Sequence, residues 1–183
     1  MATYQLSLKN IFRSKDRSIV STAAYCSAQK LLDEVSGIEF DFSQKESVVY
    51  SEILAPKDAP AWMKDRSTLW NAIERLEKRN AHLARELTFF MPAEFTNAQN
   101  IKVLKAFCLS QFVTEGFVAD VNLHLDPIYS PYAHILLTTR KIAQNGFGLK
   151  NTLRGKRVLA FEYHKALEQM KKTSPTTKNQ EPS

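Results

Sequence analysis

The sequence predicts an α+β fold: a mixed, mostly antiparallel sheet with helices packed on one face and the other face free for a ligand. Three observations predict it. Segments that alternate with a two-residue period interleave with segments of helical period, in the order strand–helix–strand–helix–strand–helix–strand–strand–helix. The last two strands are joined by a short proline-containing loop, which allows only antiparallel pairing. A chain of 183 residues, 44% hydrophobic and 24% charged, suits one soluble domain with a single sizeable core.

Residues 3–9, "TYQLSLK", alternate as a half-buried strand does, and a basic loop, "NIFRSKDRS", follows. "SIVSTAAYCSAQKLLDEV" predicts a helix, with serine at its start, apolar residues at three- and four-residue spacing, and Gly37 beyond its end. Residues 47–54, "SVVYSEIL", carry the β-branched and aromatic content of a strand. "APKDAPAW" is a turn, and residues 66–80 form an amphipathic helix with Leu69, Ile73 and Leu76 on one side. A third strand covers 84–91 and ends before Pro92. Thr96 caps the next helix, which Gly116 ends. "FVADVNLHLD" and "AHILLTTRKI" make the strand pair, "QNGFGLKNTLRGKR" is a glycine-bearing basic loop, and "VLAFEYHKALEQMKK" is the last helix. The domain is expected over residues 1–170, with 171–183 a disordered polar tail.

Composition narrows the function classes. The net charge of +6 suits a polyanionic partner such as nucleic acid. No apolar run approaches the roughly 20 residues of a membrane span, and the N-terminus lacks an apolar signal core, so a cytoplasmic location is expected. Cys26 and Cys108 show no metal-like CxxC spacing and read as buried or idle thiols.

The chemistry-bearing residues cluster late in the chain, in "HLDPIYSPYAHILLTTR" (124–140). Side chains two apart on a strand share a face, so Tyr132 and His134 do, and antiparallel pairing can bring His124 beside them. Imidazoles gathered in this way suit a divalent cation such as Mn²⁺, Mg²⁺ or Zn²⁺. Separate core or surface histidines are the other reading. Tyr25, on the first helix, can attack phosphorus if its proton is removed, or can be an ordinary packed tyrosine. Glu86 can serve as a base or orient a histidine, or can be a plain strand carboxylate. Arg13, Lys15, Arg17, Arg140, Lys150, Arg154, Lys156 and Arg157 suit phosphate contacts or simple solvation of loops.

Over about residues 1–150, several stretches match one family in its order: "RSIVSTAAYCSAQKLLDE", "VYSEILAP" with "PAW", "LWNAIERLEKR", "LARELTFFMPAEFT", "FVTEGFVADVNLH", and "PYAHILLTTR" with "GFG". On these the chain resembles the N-terminal relaxase domain of TraA-type and Mob-type (MobA/MobL) plasmid transfer proteins, of the HUH endonuclease class. The resemblance implies a five-stranded antiparallel sheet of the relaxase palm, ferredoxin/RRM-like, with helices on one face and a metal on the other. It implies nicking of one DNA strand at an origin of transfer, with Tyr25 as nucleophile forming a 5′-phosphotyrosyl bond. It assigns His124 and His134 to two of three metal-binding histidines and Glu86 to a carboxylate near the site. It further implies single-stranded DNA and conjugation proteins as partners, with Mn²⁺, Mg²⁺ or Zn²⁺ as cofactor.

Two departures from the family qualify it. Tyr132 stands where the third histidine is expected, and a phenol is a poorer ligand unless deprotonated. The chain also stops at Ser183, where the family continues with further helices. A truncated, weakly active or non-catalytic single-stranded DNA-binding remnant is therefore the alternative expectation. An RNA-binding domain on a similar sheet is disfavoured by the lack of an RNP-like aromatic motif.

Overall fold

The computed structural model describes residues 5–14, 17–128 and 130–173. The expected start of the first strand before residue 5, Lys15 and the tail from 174 lie outside these described residues. The chain runs β1 (Leu6–Phe12), α1 (Ile19–Ser27), β2 (Lys30–Asp33), β3 (Ile38–Asp41), β4 (Val48–Leu54), α2 (Arg66–Leu76), β5 (His82–Phe90), α3 (Asn97–Cys108), β6 (Ala119–His124), β7 (Tyr132–Thr138), β8 (Arg140–Ala143), β9 (Gly146–Lys150) and α4 (Lys156–Thr173). Among the described residues, no helix is long and apolar enough to cross a membrane.

Five strands form the main sheet in the order β1-β5-β7-β6-β4, every neighbouring pair antiparallel. The predicted sheet is present. Its central strand, β7, buries alternate residues on opposite faces. Ala133, Ile135 and Leu137 enter one core with Leu87, Phe89, Val121 and Leu123, where Phe107 of α3 and Tyr163 and Leu167 of α4 pack against them. Leu136 enters a second core with Ile19, Val20 and Ala23 of α1 and Leu69, Trp70 and Ile73 of α2.

Helices therefore pack on both faces, which corrects the expectation of one. Helical periodicity shows that a helix has an apolar side but not which face of the sheet it meets. Because α1 and α2 cover only part of the second face, the rest stays open toward the Tyr132 end of β7.

Two local expectations also change. The helix predicted from Ser18 to Val35 ends at Ser27, closed by Ala28 in the left-handed region at φ 53°. Beyond it, Leu31 is buried while Leu32 is exposed, a two-residue alternation that makes β2 a strand paired with β3. Gly37, read as the residue after a helix, is instead the left-handed residue of the hairpin turn, φ 73°, with its N–H on the Asp33 carbonyl at 2.8 Å. The glycine-bearing loop likewise contains β9, which pairs with β8. At the C-terminal end, α4 continues through Thr173, so residues 171–173 are helical and not tail.

Helix starts follow the expected chemistry. The Ser18 hydroxyl accepts from the Ser21 N–H, and Asp65 accepts from the Thr68 N–H. Thr96 and Gln99 form a reciprocal capping box.

Candidate metal centre and active-site cleft

Strand register assembles the site. Across β6 and β7, His124 sits opposite Tyr132 and Asn122 opposite His134. Across β5 and β7, Thr88 sits opposite His134, so Glu86 lies on the same face, one diagonal step away. All project onto the face that α1 partly covers. The His124 and Tyr132 rings stack with centroids 4.8 Å apart, and the His124 and His134 rings are 5.8 Å apart. The strand pairing expected from spacing is what brings these three together.

His134 Nε2 shares a 2.6 Å hydrogen bond with Glu86 Oε1. That bond, outweighing burial, holds the Glu86 carboxyl below its ordinary range. From α1, the buried Cys26 thiol lies 3.3 Å from Nε2 and 3.5 Å from Nδ1 of His134. One donor atom from each of Cys26, Glu86 and His134 falls within 4.8 Å of the others. The expected metal set, His124, His134 and Tyr132, shares only His134 with this tight group. Cys26, read from sequence as a buried or idle thiol, is buried and also in contact with the site; only the packing of α1 on β7 reveals that contact.

His124 is fully buried, and among the described residues neither ring nitrogen meets full hydrogen-bond geometry, although the Cys26 backbone lies close to the ring. Each such orphan costs about 1–3 kcal/mol unless something binds it. Burial, with Lys45 and His134 nearby, lowers its pKa to about 4, so the ring is neutral at physiological pH. A neutral imidazole offers one ring nitrogen with a free lone pair, which fits a divalent cation. Burial also pushes the Tyr132 phenol above its usual value, which keeps it protonated and a weak ligand.

The open part of this face is a cleft of about 1140 Å³. Tyr25, Tyr132, His134, Asp126, Lys156 and Arg157 are among its lining residues. Tyr25 is 48% exposed, so its side chain is accessible from the cleft. Its ring meets Phe42 edge-on at 5.3 Å, and the Lys45 ammonium sits 3.7 Å above it. Both neighbours belong to the segment following β3, so the hairpin that sequence reasoning missed also props Tyr25.

Behind the site, Asp120 is fully buried and accepts from Arg66 Nε at 2.8 Å, Arg66 Nη2 at 2.9 Å and Trp70 Nε1 at 2.8 Å. Asn122 donates to Asp120 at 3.1 Å and accepts from the Ser51 hydroxyl at 2.6 Å. The network ties α2 to the strand that carries His124. The alternation Asp120, Asn122, His124 was its signal in the sequence.

The basic candidates divide. Lys156 and Arg157 are exposed in the cleft, and Arg17 Nη2 is 4.0 Å from Glu86. Arg13 pairs with the buried Glu74 at 3.0 Å, and Glu74 also accepts the Ile19 N–H. Arg140 and Lys150 converge on the buried Glu77 at 2.7 and 2.9 Å. Arg154 bonds Gln111 at 3.2 Å, beside Glu115. These four serve internal ion pairs and hydrogen bonds.

Residues 17–181 match the MobA/MobL family. The chain belongs to the MobA/MobL family. This MobA/MobL chain is 34% identical over 161 residues to the conjugal transfer protein TraA of Agrobacterium fabrum, covering 82% of the chain and 14% of TraA. It is 33% identical over 144 residues to the probable mobilization protein MobA of Bifidobacterium longum, covering 78% and 26%. With mobilization protein MobL of Acidithiobacillus ferridurans it shares 36% identity over 125 residues, covering 68% and 32%. The chain thus spans between 14% and 32% of the length of these relatives. A solved structure on the molecular basis of vancomycin resistance transfer in Staphylococcus aureus superposes on this MobA/MobL chain with a TM-score of 0.86. The two are 27% identical, and the match covers 97% of each chain.

Proposed function

We propose that this chain is a relaxase domain of plasmid mobilisation that nicks one DNA strand at an origin of transfer. The observation that carries the reading is the shared cleft: in a MobA/MobL family member, Tyr25 opens onto the same cleft as His134, beside Lys156 and Arg157. The Tyr25 hydroxyl attacks the scissile phosphorus, forming a 5′-phosphotyrosyl bond as the bond to the leaving 3′-oxygen breaks. The phenolic proton leaves to solvent or a nearby base, and the leaving oxygen takes up a proton as the free 3′-hydroxyl. Rejoining is the reverse.

His124 and His134 are the residues that would hold a divalent cation, with Tyr132 at the third position. A cation held there would supply polarisation of the phosphate and stabilisation of developing charge. Glu86 orients the His134 ring through their hydrogen bond. Phe42 and Lys45 restrain Tyr25. Lys156 and Arg157, with Arg17 at the Glu86 edge, neutralise the strand's phosphates. The work is cytoplasmic, and other conjugation proteins are the expected partners.

A second reading, single-strand binding with little cleavage, has one specific observation behind it: the protonated Tyr132 phenol stacked on His124. One experiment separates the two. Incubate the protein with single-stranded origin DNA and Mn²⁺ or Mg²⁺, and resolve covalent adducts by denaturing electrophoresis. The relaxase reading expects an adduct with wild type and none with Tyr25→Phe. DNA retention without any adduct establishes the second reading instead.

A further inference from the structure

Phe90, the last residue of β5, leaves 48% of its surface exposed. A single exposed phenylalanine needs no explanation, but this one stands in a particular place. Strand register sets it opposite Tyr132 on β7, and Tyr132 is in turn opposite His124 on β6. Directly opposed residues of antiparallel strands share a face, so the three form one aromatic row across the open face of the sheet. The His124 and Tyr132 rings stack on each other; Phe90 is the exposed end of the row. It lines the cleft together with Tyr25, His134, Lys156 and Arg157. Leu6 and Phe89, also in the lining, are almost fully buried. The accessible apolar lining is therefore the rings of Phe90, Tyr25 and Tyr132, with Ala160 of α4.

The backbone under the ring is held from both sides. The Phe90 carbonyl accepts from the Tyr163 hydroxyl of α4 at 2.7 Å, and the Met91 N–H donates to the Pro131 carbonyl at 2.7 Å. Phe89 points the other way, into the core against Phe107 and Tyr163. A fixed ring beside exposed cations is the pairing that holds single-stranded nucleic acid: the cations take phosphates and the ring takes a base. Its distance from the chemistry also suits. Phe90 and His134 are diagonal neighbours across β5 and β7, about 7–8 Å apart, close to one nucleotide step of an extended strand.

We propose that Phe90 is a base-stacking residue: its exposed ring carries the base of the nucleotide next to the scissile phosphate, while Lys156 and Arg157 hold the adjoining backbone. The inference rests on the relaxase reading for where the cut falls, but not for the stacking itself. Stacking on a phenyl face tolerates any base, so Phe90 fixes position and not sequence. Anchoring that base restricts the backbone at the scissile phosphate, and its orientation toward Tyr25 is set before reaction.

The test uses the full chain and a thymidine oligonucleotide carrying one 5-iodouracil, a base that crosslinks under light to an aromatic ring stacked on it. Mass spectrometry of the wild-type crosslink is expected to find Phe90, a result that does not depend on any variant folding. By fluorescence anisotropy, Phe90→Ala should bind the oligonucleotide about 5- to 100-fold more weakly. Its log–log salt slope should stay that of wild type, because no phosphate contact is lost. Phe90→Tyr should restore the affinity. Crosslinks confined to other residues, with Phe90→Ala binding as wild type does, overturn the stacking role and leave the relaxase reading intact. A Phe90→Ala change that abolishes self-association of the chain at unchanged DNA affinity makes this face a contact between copies, and overturns it too. A crosslink at Phe90 without a covalent Tyr25 adduct on origin DNA keeps the stacking role and overturns the relaxase. No binding of either the oligonucleotide or the origin strand overturns both.

Discussion

The imidazole of His124 lies nearly parallel to the phenol of Tyr132, with ring planes 17° apart and centroids separated by 4.8 Å. The pair is fixed by register, since the two residues face each other across β6 and β7. Replacing the phenol by a second imidazole keeps the stacking partner and adds a lone pair. Tyr132→His should raise Mn²⁺ affinity at least about 10-fold, as read by calorimetric titration. Unchanged affinity would show that position 132 does not face the ion.

Glu86 is set apart by its 2.6 Å bond to His134. Glu86→Gln keeps the shape but loses the charge that fixes the tautomer. Metal affinity should fall about 10–100-fold, while thermal stability changes little. A large loss of stability with affinity retained would make Glu86 a structural residue.

Lys45 holds its ammonium 3.7 Å above the Tyr25 ring. A partly exposed contact of this kind is worth about 0.5–1 kcal/mol. If that energy goes into positioning the phenol, Lys45→Ala should slow adduct formation about 2–5-fold in single-turnover assays. Lys45→Arg should restore most of it.

The basic residues predict opposite outcomes by location. Lys156→Ala and Arg157→Ala, in the cleft, should each flatten the salt dependence of single-stranded DNA binding by about 0.7 in log–log slope. Arg140→Ala and Lys150→Ala, committed to Glu77, should leave that slope unchanged and lower the melting temperature. Fluorescence anisotropy across a salt series separates the two groups.

Glu77 supplies the pH prediction. Burial pushes its carboxyl up, but hydrogen bonds from Arg140 and Lys150 outweigh it and hold the group below its ordinary 4.5. A depressed folded-state pKa contributes stability that is full above the unfolded value and is lost as pH falls through the folded one. Glu77→Gln should therefore cost about 1.5–3 kcal/mol near neutrality, and the gap from wild type should close as pH drops below 4.5. Denaturant unfolding at several pH values measures it.

How much of this was legible follows from the range of each signal. Strand pairing around His124 and His134 was, because two-residue alternation on both sides of a short loop leaves one register that buries Ala133 and Ile135. Tyr25 and Glu86 came from motif resemblance, since neither residue type betrays its neighbours by spacing. The β2–β3 hairpin was not legible: "KLLDEV" mimics a helix continuation until tertiary packing buries Leu31 and exposes Leu32. Cys26 was hidden for the same reason, as a helix does not announce which strand it will lie against.

The cleft has one further property with a practical edge. Gln5, Leu6 and Ser7 form part of its wall, facing Lys156, Arg157 and Ala160 of α4. β1 thus contributes to the surface proposed to receive DNA. A bulky substitution at Ser7, on the wall itself, would narrow the proposed path of a DNA strand.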